Sequence, residues 1–100
     1  MNVSIAKSSD QIVLKPDSNL DAVSSAELEK AILEITSAGT IILDLSDVEY
    51  ISSAGVRQLL LAHRQAQQLS ASFSVVKVNP QVMSILKITG IDSQLDISQK

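Results

Sequence analysis

The residues able to do chemistry are concentrated in one stretch, Leu43-Asp44-Leu45-Ser46-Asp47-Val48-Glu49-Tyr50-Ile51-Ser52-Ser53-Ala54-Gly55-Val56-Arg57. Two adjacent serines, Ser52 and Ser53, close a polar loop and open a helical pattern, just past the carboxyl end of a strand. In open α/β sheets, ligands and partners dock at such places. A serine there has two readings. It caps the helix through its side-chain oxygen, worth about 1 kcal/mol. Or it carries a phosphoryl group, which the free N–H groups and positive potential of a helix end accommodate. Asp21 reads either as a turn or cap residue of the first helix or as a ligand for a partner's cation or a Mg²⁺-nucleotide. Asp44 either ends its strand or faces the serines. Asp47 and Glu49 read as solvated loop charges. Gly55 serves close helix–sheet packing or recognition. His63, the one histidine, falls in an apolar helical stripe and reads as a boundary core residue.

Other chemistry is not provided for. The chain has no cysteine. It shows no carboxylate or histidine cluster with metal-ligand spacing and neither classical nucleotide loop. It contains no recognisable base–nucleophile pair. The expectation is a non-catalytic protein with no metal and no cofactor. Composition narrows the partners further. The net charge is −3, the eight basic residues are scattered, and the aromatics are Tyr50 and Phe73 alone. Neither clustered cations for phosphates nor a stacking platform for bases is present, which excludes nucleic acid as the expected partner. No apolar run approaches the roughly 18 residues of a spanning helix, and no leader opens the chain. A cytoplasmic protein without membrane insertion is expected.

The elements that must position these residues follow from periodicity. Residues 1–100 read as a single domain, with 45 % apolar residues to fill its core. Asn2–Lys7 and Gln11–Lys15 alternate as strands around a Ser8-Ser9-Asp10 turn and are expected to form a hairpin. Asp17–Ala22 is a polar loop. Ser24 and Glu27 have capping-box spacing, and Leu28, Ala31, Ile32 and Ile35 give the helix one apolar face, with Gly39 as its stop. Thr40–Leu45 reads as a central strand covered on both faces. A second helix runs from about Ser53 to Leu69 with the stripe Val56, Leu59, Leu60, His63, Ala66 and Leu69. Phe73–Val78 is the next strand. Asn79-Pro80 starts a short helix carrying Val82, Met83, Ile85 and Leu86, which Gly90 stops. Leu95–Ile97 is a last short strand. The order ββαβαβα(β) predicts an α/β fold with a mixed, mostly parallel sheet of four to five strands and right-handed crossovers.

This order, together with Ile42 to Val56, Leu20-Asp21-Ala22 and Ile88-Thr89-Gly90-Ile91-Asp92, resembles the STAS domain. That is the domain of stand-alone bacterial anti-sigma factor antagonists, also appended to sulfate transporters. The resemblance implies a partner-switching module in signal transduction and transcription regulation. Aligned on Gly55, Ser53 matches the serine that a combined anti-sigma factor and serine-protein kinase phosphorylates, with Ser52 the second choice. Ser52 stands where the family often has Asp, and Ala54 where it has a second Ser. The implied partner surface comprises Asp21, Asp44, Ser52, Ser53, Ala54 and Gly55, with Arg57, Gln58, Leu61, Arg64 and Gln65 on the exposed side of the second helix. The resemblance also implies a closing helix, for which Lys100 leaves no residues. The alternative within the same fold is a small subunit of a bacterial lipid-transport ABC system that grips its ATPase subunit.

Overall fold

The computed structural model describes residues 3–100, so the Asn2 end of the expected first strand lies outside the described residues. Strands β1 (Val3–Ser8) and β2 (Gln11–Pro16) form the expected antiparallel hairpin. Ser9 in its turn takes a φ of 51°, the left-handed backbone that two-residue hairpin turns call for. β2 pairs in parallel with β3 (Thr40–Asp44), β3 with β4 (Ser72–Val76), and β4 with β5 (Asp96–Ile97). The sheet order is β1-β2-β3-β4-β5. The crossovers contain α1 (Ser24–Leu33), α2 (Ser53–Gln68) and α3 (Pro80–Thr89), the last followed by a 3₁₀ turn at Ile91–Ser93. Because β2 to β5 follow one another across the sheet, right-handed crossovers put all three helices on one face.

That face holds the core. Ile12 pairs with Ile41, and Leu14 and Val75 flank Leu43; all are buried there. Leu28 and Ile32 of α1, Leu59 and Ala62 of α2, and Val82 and Leu86 of α3 cover them. The opposite face carries half-buried Val13, Ile42, Ser74 and Val76. Thr40–Leu45 is therefore covered on one face, not on the expected two. Successive side chains point to opposite faces, and only the Ile41–Leu43 parity meets helices.

One sequence-derived helix end and one helix stripe shift. α1 ends at Leu33, before the expected stop at Gly39. Gly39 lies in the connection to β3, where its N–H donates to Asp10 O at 2.7 Å and its carbonyl accepts from Ser72 N–H at 2.9 Å. A Cβ at Gly39 would first meet the carboxylate of exposed Asp10, a flexible side-chain end that can swing aside, so the position does not demand glycine. In α2 the buried stripe is rotated from the expected one: Gln58 is only 4 % exposed, whereas Leu60 is 38 % exposed. α3 follows its signals. Asn79 Oδ1 accepts from Val82 N–H at 2.7 Å, Pro80 occupies the first turn, and Gly90 closes the helix at a φ of 78°.

Candidate partner-docking site

The segment between β3 and α2 crosses the carboxyl end of the sheet and is pinned from both sides. Leu45, Val48 and Ile51 are buried and act as its anchors. Ile51 bridges in parallel to Leu20; Leu20 N–H donates to Tyr50 O at 3.1 Å and Ser52 N–H to Leu20 O at 2.8 Å. Asn19 Oδ1 accepts from the N–H groups of Glu49 and Tyr50, at 2.7 and 3.0 Å. Asn79 Nδ2 donates to Val48 O at 2.9 Å from the other flank. These backbone bonds, made to residues on both flanks, fix the loop.

The two serines have different jobs. Ser52 has extended backbone, φ −90° and ψ 177°, and its hydroxyl accepts from Gly55 N–H at 3.4 Å, so it is the cap of α2. Ser53 is the first helical residue; it is exposed, and its hydroxyl makes no hydrogen bond among the described residues. Ala54 is half-buried beside it. Gly55 is buried, and a Cβ there would lie 2.5 Å from Ile51 Cγ1 and 2.8 Å from Leu20 Cβ. Its lack of a side chain lets the helix end sit on the Leu20–Ile51 bridge, which is the packing role.

Asp21 adjoins this site through Leu20, and it is the cap of α1. Its Oδ1 accepts from the N–H groups of Val23 and Ser24, at 3.0 and 2.8 Å. Ser24 Oγ returns the favour by accepting from Asp21 N–H at 3.0 Å, and its proton is shared between Asn19 O at 2.6 Å and Asp21 Oδ1 at 3.0 Å. The reciprocal box runs from Asp21 to Ser24, not from Ser24 to Glu27 as expected. Hydrogen bonds from Ser24, backbone first and hydroxyl second, hold the Asp21 carboxyl below its ordinary pKa. Asp21, Ser18, Asn19, Ser24 and Glu27 line an open concavity of about 470 Å³ with exposed Val23 on its rim.

Asp44 does not join the serines. It follows Leu43 on the strand and so faces the other side of the sheet. There its Oδ1 accepts from Ser46 N–H at 2.9 Å and its Oδ2 lies 3.6 Å from Lys77 Nζ. Burial raises its pKa, but hydrogen bonding from Ser46 and the charges of Lys77 and Lys15 outweigh that and leave it lowered. The strand-ending reading of Asp44 is the one this geometry supports. Gln58 also departs from expectation: it is buried in the seam between α1 and α2, where its Nε2 donates to Glu29 Oε1 at 3.1 Å. Arg57 and Arg64 are exposed, and with Leu60, Leu61, Gln58 and Glu29 they border a groove of about 230 Å³. Gln65 is half-buried, its Nε2 donating to Ile35 O at 2.8 Å. His63 lies against Phe73, ring centroids 6.4 Å apart, in the boundary role expected of it. Sequence reasoning missed Asn19, whose two acceptor bonds reach about thirty residues along the chain with no local signal.

The molecule is thus an α/β domain that presents a pinned loop, a helix N-terminus and an exposed serine at the carboxyl end of its sheet. The STAS domain family model matches residues 2–100, and the chain belongs to that family. BtrV of Bordetella bronchiseptica, assigned by name to the anti-sigma factor antagonists, is 36 % identical over 50 residues. That match spans 50 % of this chain and 43 % of BtrV, less than half of the relative's length. Among solved structures, one from Thermotoga maritima assigned to the anti-sigma factor antagonists matches with a TM-score of 0.88. It is 22 % identical, with 98 % of this chain and 86 % of that one covered. An anti-sigma factor antagonist from Mycobacterium paratuberculosis matches with a TM-score of 0.85 at 22 % identity, over 99 % and 86 % of the two chains. Among the described residues, no helix is long and apolar enough to cross a membrane.

Proposed function

We propose that this chain is an anti-sigma factor antagonist, a cytoplasmic module that acts by binding, and that phosphorylation of Ser53 releases its partner. The partner in this reading is an anti-sigma factor that is also the serine kinase. The names of its relatives support the class. The observation that carries the switch is Ser53 itself: exposed, its hydroxyl without a hydrogen bond among the described residues, and held at the first position of α2 by a loop that is tied down on both sides. Ser52 performs the cap that an aspartate would perform at the same position, since both residue types accept N–H bonds there. The family's usual Asp is replaced without loss of the local structure.

A phosphate on Ser53 adds about −1.5 to −2 charges. The helix end stabilises it by roughly 0.3–1 kcal/mol, and Arg57, one turn along the helix, is spaced to pair with it. The free domain tolerates the group. A partner seated over the α2 N-terminus would instead bury it without a matched counter-charge, at a cost on the order of 3–5 kcal/mol. That is roughly a 100- to 4000-fold loss of affinity. The test is affinity capture of the native protein with mass spectrometry of the partner and of Ser52 and Ser53, followed by calorimetry with the captured partner. The expected partner is a kinase, with Ser53→Ala binding like wild type and Ser53→Asp at least about 100-fold weaker. Equal binding by Ser53→Asp would sink the switch. Capture of a transporter ATPase with Ser53 always unmodified would assign the chain to the lipid-transport alternative.

A further inference from the structure

The β1 edge of the sheet is built to pair, and we infer that it pairs with β1 of a second copy of this chain. Native sheets guard their edges with proline, bulges or inward charges. β1 has none of the first two: its six residues pair with β2 in unbroken register, from Val3 with Pro16 to Ser8 with Gln11. Pro16 has no N–H to donate, so Val3–Pro16 is a pair without mutual hydrogen bonds, and the antiparallel alternation continues from there. The backbone groups of Ser4, Ala6 and Ser8 face β2, and those of Val3, Ile5 and Lys7 face outward from the free edge.

These three outward residues are symmetric about Ile5. An antiparallel partner strand related by a twofold axis at Ile5 sets Ile5 opposite Ile5 of the second copy, and Val3 opposite its Lys7, twice. Each of these pairs exchanges two N–H···O=C bonds. Ile5, 50 % exposed in the single chain, meets its own copy on the helix side of the sheet. Charge complementarity selects a second copy as the occupant. Val3 and Ile5 share a groove with Glu27, Lys30, Ala31 and Glu34, whose charges sum to one negative. The incoming strand places its Lys7 opposite Val3, beside Glu27. On the other face the matched residues are Ser4 and Ala6, too small to obstruct.

The test is sedimentation of the full chain across a wide concentration range, with amide hydrogen exchange at both ends of that range. Wild type is expected to dimerise, and the N–H groups of Val3, Ile5 and Lys7 to gain protection with concentration while those of Ala6 and Ser8 are protected throughout. Ile5→Lys sets like charges on the twofold axis and is expected to raise the dimer Kd at least about tenfold, with an unchanged far-UV spectrum and, at concentrations where both chains are monomeric, an unchanged melting curve. Lys7→Glu should weaken the dimer, and adding Glu27→Lys should restore it. Two results would overturn the inference. One is a wild type that stays monomeric, including one whose edge amides become protected only when another protein is supplied. The other is a dimer indifferent to Ile5→Lys and to the charge swap.

Discussion

Asp21 shows how a residue can belong to a site without being free to serve it. Its Oδ1 is committed to the first turn of α1, so it orders the loop that carries Leu20, and Leu20 in turn holds Ser52. Its carboxyl sits below the ordinary value of 3.8 in the folded protein. Folding therefore favours the ionised form. The resulting stabilisation is complete above the unfolded pKa and is lost as pH falls through the lower folded one. Asp21→Asn keeps a capping oxygen and removes the charge. The variant is expected to be less stable than wild type at pH 7, and the gap should close as pH falls below 3.8. Urea unfolding at several pH values reads this, and a gap that does not change with pH would rule out the charge. The comparison must be a difference, because Asp44 is shifted in the same direction and contributes its own acid sensitivity. The sequence offers two overlapping boxes, Asp21 with Ser24 and Ser24 with Glu27. Spacing alone does not choose between them. The choice is made by Asn19 and Leu20, which are tied to residues thirty positions away.

At the scale of elements, the strong local signals were legible. Asn79-Pro80 and Gly90 bound α3 as read, because proline and left-handed glycine act through their own backbone. The α2 stripe was less legible, since Leu59, Leu60 and Leu61 offer three apolar faces and only packing against α1 selects one. Gln58 is buried there with its Nε2 donating to Glu29, while its Oε1 finds no partner among the described residues, a cost that the packing of the seam must outweigh. The end of α2 carries a further consequence. Ser70 has a φ of 56°, its N–H donates to Gln67 O at 3.2 Å and Ala71 N–H to Ala66 O at 2.8 Å. That is a Schellman closure with serine at the position glycine prefers. Ser70→Gly removes a left-handed serine and is expected to stabilise the domain by about 1 kcal/mol. For a chain of this size the corresponding rise in Tm is about 4–8 °C. Calorimetry measures it, and an unchanged or lower Tm would show that the turn holds no such strain.

For the whole molecule, the order of strands and crossovers was readable from periodicity, whereas the one-sided helix layer was not. Ile41, Ile42 and Leu43 are apolar at both parities, so a strand with one open face looks the same in sequence as one with none. The observed asymmetry bears on the proposed switch. Helices and core lie on one side, and the docking loop is fastened to that layer by the Leu20–Ile51 bridge and by Asn19 and Asn79. A charge at Ser53 meets solvent and a helix end, with no buried neighbour to displace. Phosphorylation should then act by occlusion of the partner, without a change of fold. Ser53→Asp is expected to keep the stability of the wild type to within about 1 kcal/mol. Its amide chemical shifts should differ from wild type only near Asn19–Ser24 and Val48–Arg57. Shifts spreading into β4 or α3, or a loss of stability beyond that range, would mean that the domain responds as a conformational switch and that the pinned loop transmits the charge instead of containing it.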